Sequence, residues 1–396
     1  MAVMDPDEFQ ELLDWLIDGA RSTPTSIEFL PQVCGRLVAA GIPLHRVGVF
    51  VRTPHPDVFG RSFVWRPGQD IVVTEADFDL PDSPRYTQSP LAIVYDTRRE
   101  VRFRLDDPVS RAFPYLNEIR AEGVTDYIVL PLFFVDGSIQ TTSWTTSRPG
   151  GFTDQQLDAL RRIMAPFARI AEIFALRRTA TTLLDTYVGN QAGERILAGH
   201  IRRGHAEAMR AAIWLSDLRG FTALSDRLSP EIVVDILNRY FDCQVPAIRQ
   251  HGGEILKFMG DGLLAVFPIA KEGDHLGEVC GRVVAAARLA RANVLDMHYP
   301  NGEAIERFRF GVALHIGSVL FGNIGGSNRL DFTCIGPAVN LAARLEKLTS
   351  RLHRIVVASE AFAGSCGADF VDLGEFPIAG FAAAQRVFGL RDEMTS

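Results

Sequence analysis

The chain has 396 residues, 47% of them hydrophobic and 22% charged, with a formal net charge of −7 at pH 7. That length exceeds one ordinary core and predicts two domains. The acidic balance argues against a nucleic-acid partner, which needs a basic face to release counterions. No basic segment leads an apolar run at the N-terminus, and no apolar stretch reaches the ~18 residues of a membrane span. Five scattered cysteines without CxxC spacing fit reduced thiols, so a cytoplasmic protein is expected.

In chain order, Arg46–Arg52 and Arg61–Trp65 read as short strands, and Val101–Leu105 alternates with period two. Val124–Val135 is a longer apolar run that meets Asp136-Gly137, a hairpin turn, and resumes at Ser138–Trp144. Thr153-Asp-Gln-Gln156 is a capping-box pattern opening a helix. Its apolar stripe is Leu157, Leu160, Ile163, Met164, Phe167, Ile170, Ala171 and Phe174, with a helical period. Residues 154–205 read as mostly helical, with a break near Gly189-Asn190.

From Ala211 onward the order is strand, helix, hairpin, helix, strand, strand, helix, strand. Ser229 and Pro230 open the first of these helices, with an expected buried face of Ile232, Val233, Ile236, Leu237, Tyr240 and Phe241. Phe308, Phe310, Val312 and Leu314 alternate as one face of a strand. An antiparallel sheet covered by helices follows, placing the chain in the α+β class.

Two aspartates stand where strands end in tight turns: Asp217 in Trp214-Leu-Ser-Asp-Leu-Arg-Gly-Phe-Thr222, and Asp261 in Lys257-Phe-Met-Gly-Asp-Gly262. Carboxylates with no cysteine or histidine beside them suit hard cations such as Mg²⁺ or Mn²⁺. Paired hard cations are the usual equipment for in-line displacement at phosphorus, so the pattern points to phosphoryl chemistry on a nucleotide. Asn340 and Arg344, four apart after Gly336-Pro337, project from one face of a helix, while Leu341, Leu345 and Leu348 cover another.

Residues 208–346 resemble the catalytic domain of class III adenylyl/guanylyl cyclases, in the threonine-type bacterial variant. Besides the two aspartate blocks, the resemblance rests on Gly311-Val-Ala-Leu-His-Ile-Gly-Ser-Val-Leu-Phe-Gly-Asn323 and Phe332-Thr-Cys-Ile-Gly-Pro-Ala-Val-Asn-Leu-Ala-Ala-Arg-Leu-Glu346. It implies a ferredoxin-like βαββαβ core and a catalytic domain over residues 208–396. Upstream, Gly123-Val-Thr-Asp-Tyr-Ile-Val-Leu-Pro-Leu132 and the Pro149–Thr153 run resemble a GAF domain, placed at residues 1–180. That domain is either a sensor for a small ligand or protein or a dimerisation scaffold, and Trp65, Tyr127 and Trp144 are pocket candidates. Residues 181–207 then form a helical linker, transducing or merely connecting.

The resemblance further implies roles. Asp217, Asp261 and the Leu218 carbonyl hold two Mg²⁺ or Mn²⁺ ions, one at the ribose 3′-hydroxyl and one at the leaving pyrophosphate. Lys257 and Thr333 occupy the base-choosing positions. Adenine presents an acceptor at N1 and a donor at N6, which an ammonium donor and a hydroxyl acceptor match, so ATP is the expected substrate. Asn340 orients the ribose, Arg344 stabilises charge on the α-phosphate, and Arg354 and, secondarily, Arg329 bind phosphate. Lys257 and Asp261 share a hairpin although base and metals lie at opposite ends of a nucleotide. A head-to-tail homodimer with two shared sites is therefore expected, and an inactive monomer. A GTP-using or dual-specificity cyclase and a silent nucleotide-binding module are the alternatives.

Overall fold

The computed structural model describes residues 4–56, 58–269, 276–297, 309–326, 328–366 and 369–394. The chain divides into two compact units, Met1–Leu183 and Leu184–Ser396. Both mix helices with largely antiparallel sheets, the expected α+β class.

The first unit opens with α1 (Pro6–Ile17) and α2 (Ser26–Ala39), whose Asp5 and Thr25 caps accept hydrogen bonds from first-turn amides. Strands β1 (Arg46–Arg52), β2 (Gly60–Trp65) and β3 (Val72–Ala76) follow, then short helices α3 (Pro84–Thr87) and α4 (Pro90–Thr97). After β4 (Val101–Arg104) and α5 (Pro114–Ala121) come β5 (Asp126–Phe133) and β6 (Ile139–Thr146). These strands make one antiparallel sheet in the order β3-β2-β1-β6-β5-β4.

Helix α6 (Asp154–Val188) starts with the expected reciprocal cap. The Gln156 amide donates to the Thr153 hydroxyl at 3.3 Å, and the Thr153 amide donates to Gln156 Oε1 at 3.0 Å. Its stripe enters the core with α1, α2 and the sheet. Trp65, Tyr127 and Trp144 are core residues, and none of them lines the cavity found in this unit. Gly189, at φ +89°, breaks the helical path before α7 (Asn190–Leu197).

The second unit runs β7 (Ala206–Leu218), α8 (Phe221–Ser225), α9 (Pro230–Gln250), β8 (Glu254–Met259), β9 (Gly262–Ile269), α10 (Leu276–Leu295), β10 (Phe310–Gly325), β11 (Leu330–Ile335), α11 (Pro337–Arg351), β12 (Val356–Ser359), α12 (Glu360–Cys366), β13 (Phe370–Phe376) and β14 (Gln385–Leu390). The sheet order is β13-β14-β12-β10-β7-β9-β8, with β11 paired to β10. Within it, β10-β7-β9-β8 is the 4-1-3-2 arrangement of the expected βαββαβ core. One neighbouring pair, β10 and β12, is parallel.

Period-two alternation gives this sheet two buried faces. Trp214, Leu263, Phe310, Val312 and Leu314 pack with α9 and α10. Phe308 lies outside the described residues. Ile213, Leu215, Leu264 and Val266 pack on the opposite face with Ala192 of α7 and with Ala338 and Ala342 of α11. The expected inner face of α9 needs one correction: Ile232 is exposed, and full burial begins at Ile236 and continues through Tyr240, Gln244, Ala247 and Ile248. The first turn thus precedes the part of the helix that meets the core.

Candidate active site

Asp217 is the penultimate residue of β7, opposite Gly311 on β10. Asp261 sits in the two-residue turn between Met259 and Gly262, which face each other across the β8–β9 hairpin. Gly260 takes φ +66° there, a left-handed conformation that glycine adopts without steric cost. The turn backbone presses on the first aspartate. A side-chain carbon built on Gly262 would stand 3.3 Å from Asp217 Oδ1 and 3.2 Å from the Ser216 carbonyl oxygen.

The electrostatics follow from this crowding. Burial, then the charges of Asp261 and Glu346, push the Asp217 carboxyl up from 3.8 to about 6, against a hydrogen bond from the Leu218 amide. Glu346, on the inward face of α11, is itself buried and raised by burial, with the Arg219 charge opposing. Arg219 is pulled down by its own burial and donates to the Arg354 carbonyl.

The adjacent carboxyls of Asp217 and Asp261 thus hold negative charge that the surroundings leave undercompensated. That is a fit for a hard divalent cation with oxygen ligands. No group of three or more His, Cys, Asp or Glu side chains in ligating geometry occurs among the described residues. Histidine chemistry is not called for: His315 Nδ1 lies 2.8 Å from the Ser359 hydroxyl, and burial lowers its ring to about 4.

Lys257 and Thr333 lie on β8 and β11, which approach each other without pairing, β8 being hydrogen-bonded to β9 and β11 to β10. A bulge at Leu256 shifts the β8 register by one residue just before Lys257. Lys257 is close enough to Cys334 for its charge to oppose the burial that raises that thiol to about 11. Thr333 is buried, and its hydroxyl has no hydrogen-bond partner among the described residues. A buried hydroxyl in that condition is costly unless a ligand completes it.

Asn340 and Arg344 both stand exposed on α11, on a face that adjoins the buried Leu341, Leu345 and Leu348. Arg354 is half-buried at the entry to β12, and Arg329 is exposed in the β10–β11 turn, where its carbonyl accepts from the Gly326 amide. Two members of the site, Glu346 and Arg219, carry no role in the sequence reading. The signal for Glu346 is its place four residues after Ala342, inside the buried stripe of α11. Gly311 is the contact that seats this helix: a methyl there would fall 2.8 Å from Glu346 Oε1 and 3.0 Å from Thr349 Cβ. Gly311→Ala is expected to cost about 1–3 kcal/mol by overpacking, measured by urea unfolding of the full chain.

Residues 205–390 match the family model of the adenylate and guanylate cyclase catalytic domain. Among curated proteins, the chain is 35% identical over 157 residues to the terminal-differentiation-specific adenylate cyclase of Dictyostelium discoideum, covering 40% of this chain and 7% of that one. It is 30% identical over 209 residues to adenylate cyclase 1 of Rhizobium meliloti, covering 50% and 31%. The matches thus span under a third of either relative. A solved bacterial light-regulated adenylyl cyclase is similar at 29% identity and a TM-score of 0.39, over 47% of this chain and 92% of that one.

Proposed function

Because residues 205–390 match the family model of the adenylate and guanylate cyclase catalytic domain, we propose that the protein is a class III cyclase that converts ATP to 3′,5′-cyclic AMP and pyrophosphate. The observation that carries this reading is the Asp217–Asp261 pair, two carboxyls crowded together by the Gly260–Gly262 turn. In the reaction the 3′-oxygen bonds to the α-phosphorus in line, the bond from that phosphorus to the bridging oxygen of pyrophosphate breaks, and the 3′ proton passes to Asp217, a substrate phosphate or water.

Asp217, Asp261 and the Leu218 carbonyl would hold two Mg²⁺ or Mn²⁺ ions. Such ions, when bound, supply Lewis-acid stabilisation of the 3′-oxygen and of the pyrophosphate charge. Lys257 donates to adenine N1, and the Thr333 hydroxyl accepts from N6, which gives that buried oxygen its missing partner. Asn340 orients the ribose, and Arg344 stabilises the extra charge on the α-phosphate as the new bond forms. Arg354 binds phosphate, and Arg329 is a secondary phosphate contact.

In the head-to-tail homodimer we propose, one protomer brings the carboxylates and the other brings Lys257, Thr333, Asn340, Arg344 and Arg354. The side chains of Asn340 and Arg344, exposed and without a hydrogen bond or ion pair among the described residues, support this arrangement. The N-terminal unit is read as a GAF-like regulatory domain acting through residues 181–207. Among the described residues no helix is long and apolar enough to cross a membrane.

The direct test is cyclic nucleotide production by the purified chain with ATP or GTP and Mg²⁺ or Mn²⁺. Cyclic AMP is the expected product, and cyclic GMP from GTP at an equal or higher rate would overturn the base assignment. Lys257→Glu with Thr333→Cys inverts the hydrogen-bond polarity and is expected to shift the ATP/GTP ratio of kcat/KM towards GTP by about 100-fold or more, the discrimination that unpaired polar groups provide. An unchanged ratio would remove these residues from base reading. Loss of residues 1–180 with no change in activity or dimerisation would remove the regulatory role.

A further inference from the structure

The N-terminal unit holds a cavity of about 200 Å³ between α2, β1, β2 and α6. Its walls are mainly apolar and aromatic, with Phe29, Val49, Phe63, Phe167 and Phe174 prominent. The aromatic wall is held by ring contacts, Phe29 lying 5.1 Å from Phe167 and 5.7 Å from Phe174 between centroids. Apolar cavities of about 150 Å³ stay dry and accept a benzene-sized guest, so this one has room for a ring or a short chain.

Two guanidinium side chains, Arg61 and Arg178, also line the cavity, and no acidic residue does. Arg61 is committed to Glu75, its Nε donating to Oε1 at 2.8 Å. Arg178 makes no hydrogen bond or ion pair with a described residue, although it stands near both Arg61 and the burial of the cavity wall. Those two influences, burial first, lower its hold on the proton, and the Glu75 charge opposes them. An arginine remains charged nonetheless, so the cavity carries one positive charge more than its walls compensate. Ser26 and Thr53 are also among the lining residues.

We infer that this cavity is a binding site for a small amphipathic carboxylate, its apolar body between α2, the sheet and α6 and its anionic group on Arg178. The single uncommitted guanidinium favours a monoanion. Five lining residues, Phe167, Ala171, Phe174, Ala175 and Arg178, recur at three- and four-residue steps along α6. The inference concerns the N-terminal unit alone and stands whether or not the catalytic domain makes a cyclic nucleotide.

The test is calorimetric titration of the full chain with hexanoate and 4-phenylbutyrate, each against its neutral alcohol. Saturable binding of at least one carboxylate is expected at millimolar concentration or below, about tenfold or more tighter than its alcohol. Arg178→Met is expected to weaken the carboxylate by about tenfold and leave the alcohol unchanged. Arg178 is only partly buried, so the variant should keep the thermal midpoint of the parent. Ala171→Phe, which fills the cavity, is expected to abolish both, and its far-UV circular dichroism reports whether it folds. No carboxylate binding, an alcohol bound as tightly, or an unchanged Arg178→Met affinity would each overturn the site.

Discussion

Replacing Arg344 by alanine is expected to lower kcat with ATP by roughly 100- to 1,000-fold, about 2.7–4 kcal/mol of barrier, with little change in KM. The residue sits exposed on α11 and packs into none of the apolar clusters of that helix. Its removal should therefore change unfolding stability by no more than about 0.5 kcal/mol. A loss of rate without a loss of stability separates a transition-state role from a surface ion pair. Arg344→Lys is expected to recover only part of the rate, because an ammonium cannot present the two-pronged guanidinium face to a phosphate. Activity within about twofold of the parent would return Arg344 to the solvated surface.

Asp217→Asn should abolish cyclase activity by at least about 100-fold, and it should also stabilise the ion-free protein at neutral pH. The second effect follows from the raised carboxyl. Its folded value of about 6 exceeds the ordinary 3.8, so the folded chain binds this proton more tightly than the unfolded chain. Stability of the ion-free protein therefore falls as pH rises from about 4 to about 6, and the asparagine variant escapes that fall. Thermal melts with a chelator should show the variant above the parent at pH 7.5 and level with it at pH 4. Saturating Mn²⁺ should raise the parent and leave the variant unmoved, the result expected of an ion held by both carboxylates.

The same variant tests the shared site. Mixing inactive Asp217→Asn with inactive Arg344→Ala should restore roughly a quarter of the parent rate. Half of randomly formed dimers are mixed, and each carries one site with both residues intact. No recovery, with exchange of subunits shown by tagged pull-down, would place both residues in one protomer's own site.

Much of the fold and of the candidate site is legible in the amino-acid sequence, and for a local reason. The Thr153–Gln156 cap, the Gly189 break and the Gly260-Asp261 turn are decided by side chains reaching their own backbone or by glycine's access to positive φ. Strand β1 occupies the predicted Arg46–Arg52, because alternating β-branched residues state their face and their length together. The helices α1 and α2 and the strands β13 and β14 lack so plain a signal, their periods being short and interrupted by polar residues. Periodicity alone assigns Ile232 to a buried face, because it gives the phase of a helix and not the point where the helix meets the core.

What the sequence by itself determined is thus the set of chemical groups and their local settings: two turn-borne carboxylates, a lysine in a hairpin, a threonine in a strand, and an asparagine and arginine on one helical face. Tertiary structure alone decided which of them share an electrostatic environment. Glu346 raises Asp217 only because α11 packs against the β7 end of the sheet, with Gly311 leaving room for it. The Thr333 hydroxyl is buried, with no partner among the described residues, only because β11 folds onto β10 in the sheet. Such effects depend on burial and on distances between residues remote in the chain, and neither is a property of any local window.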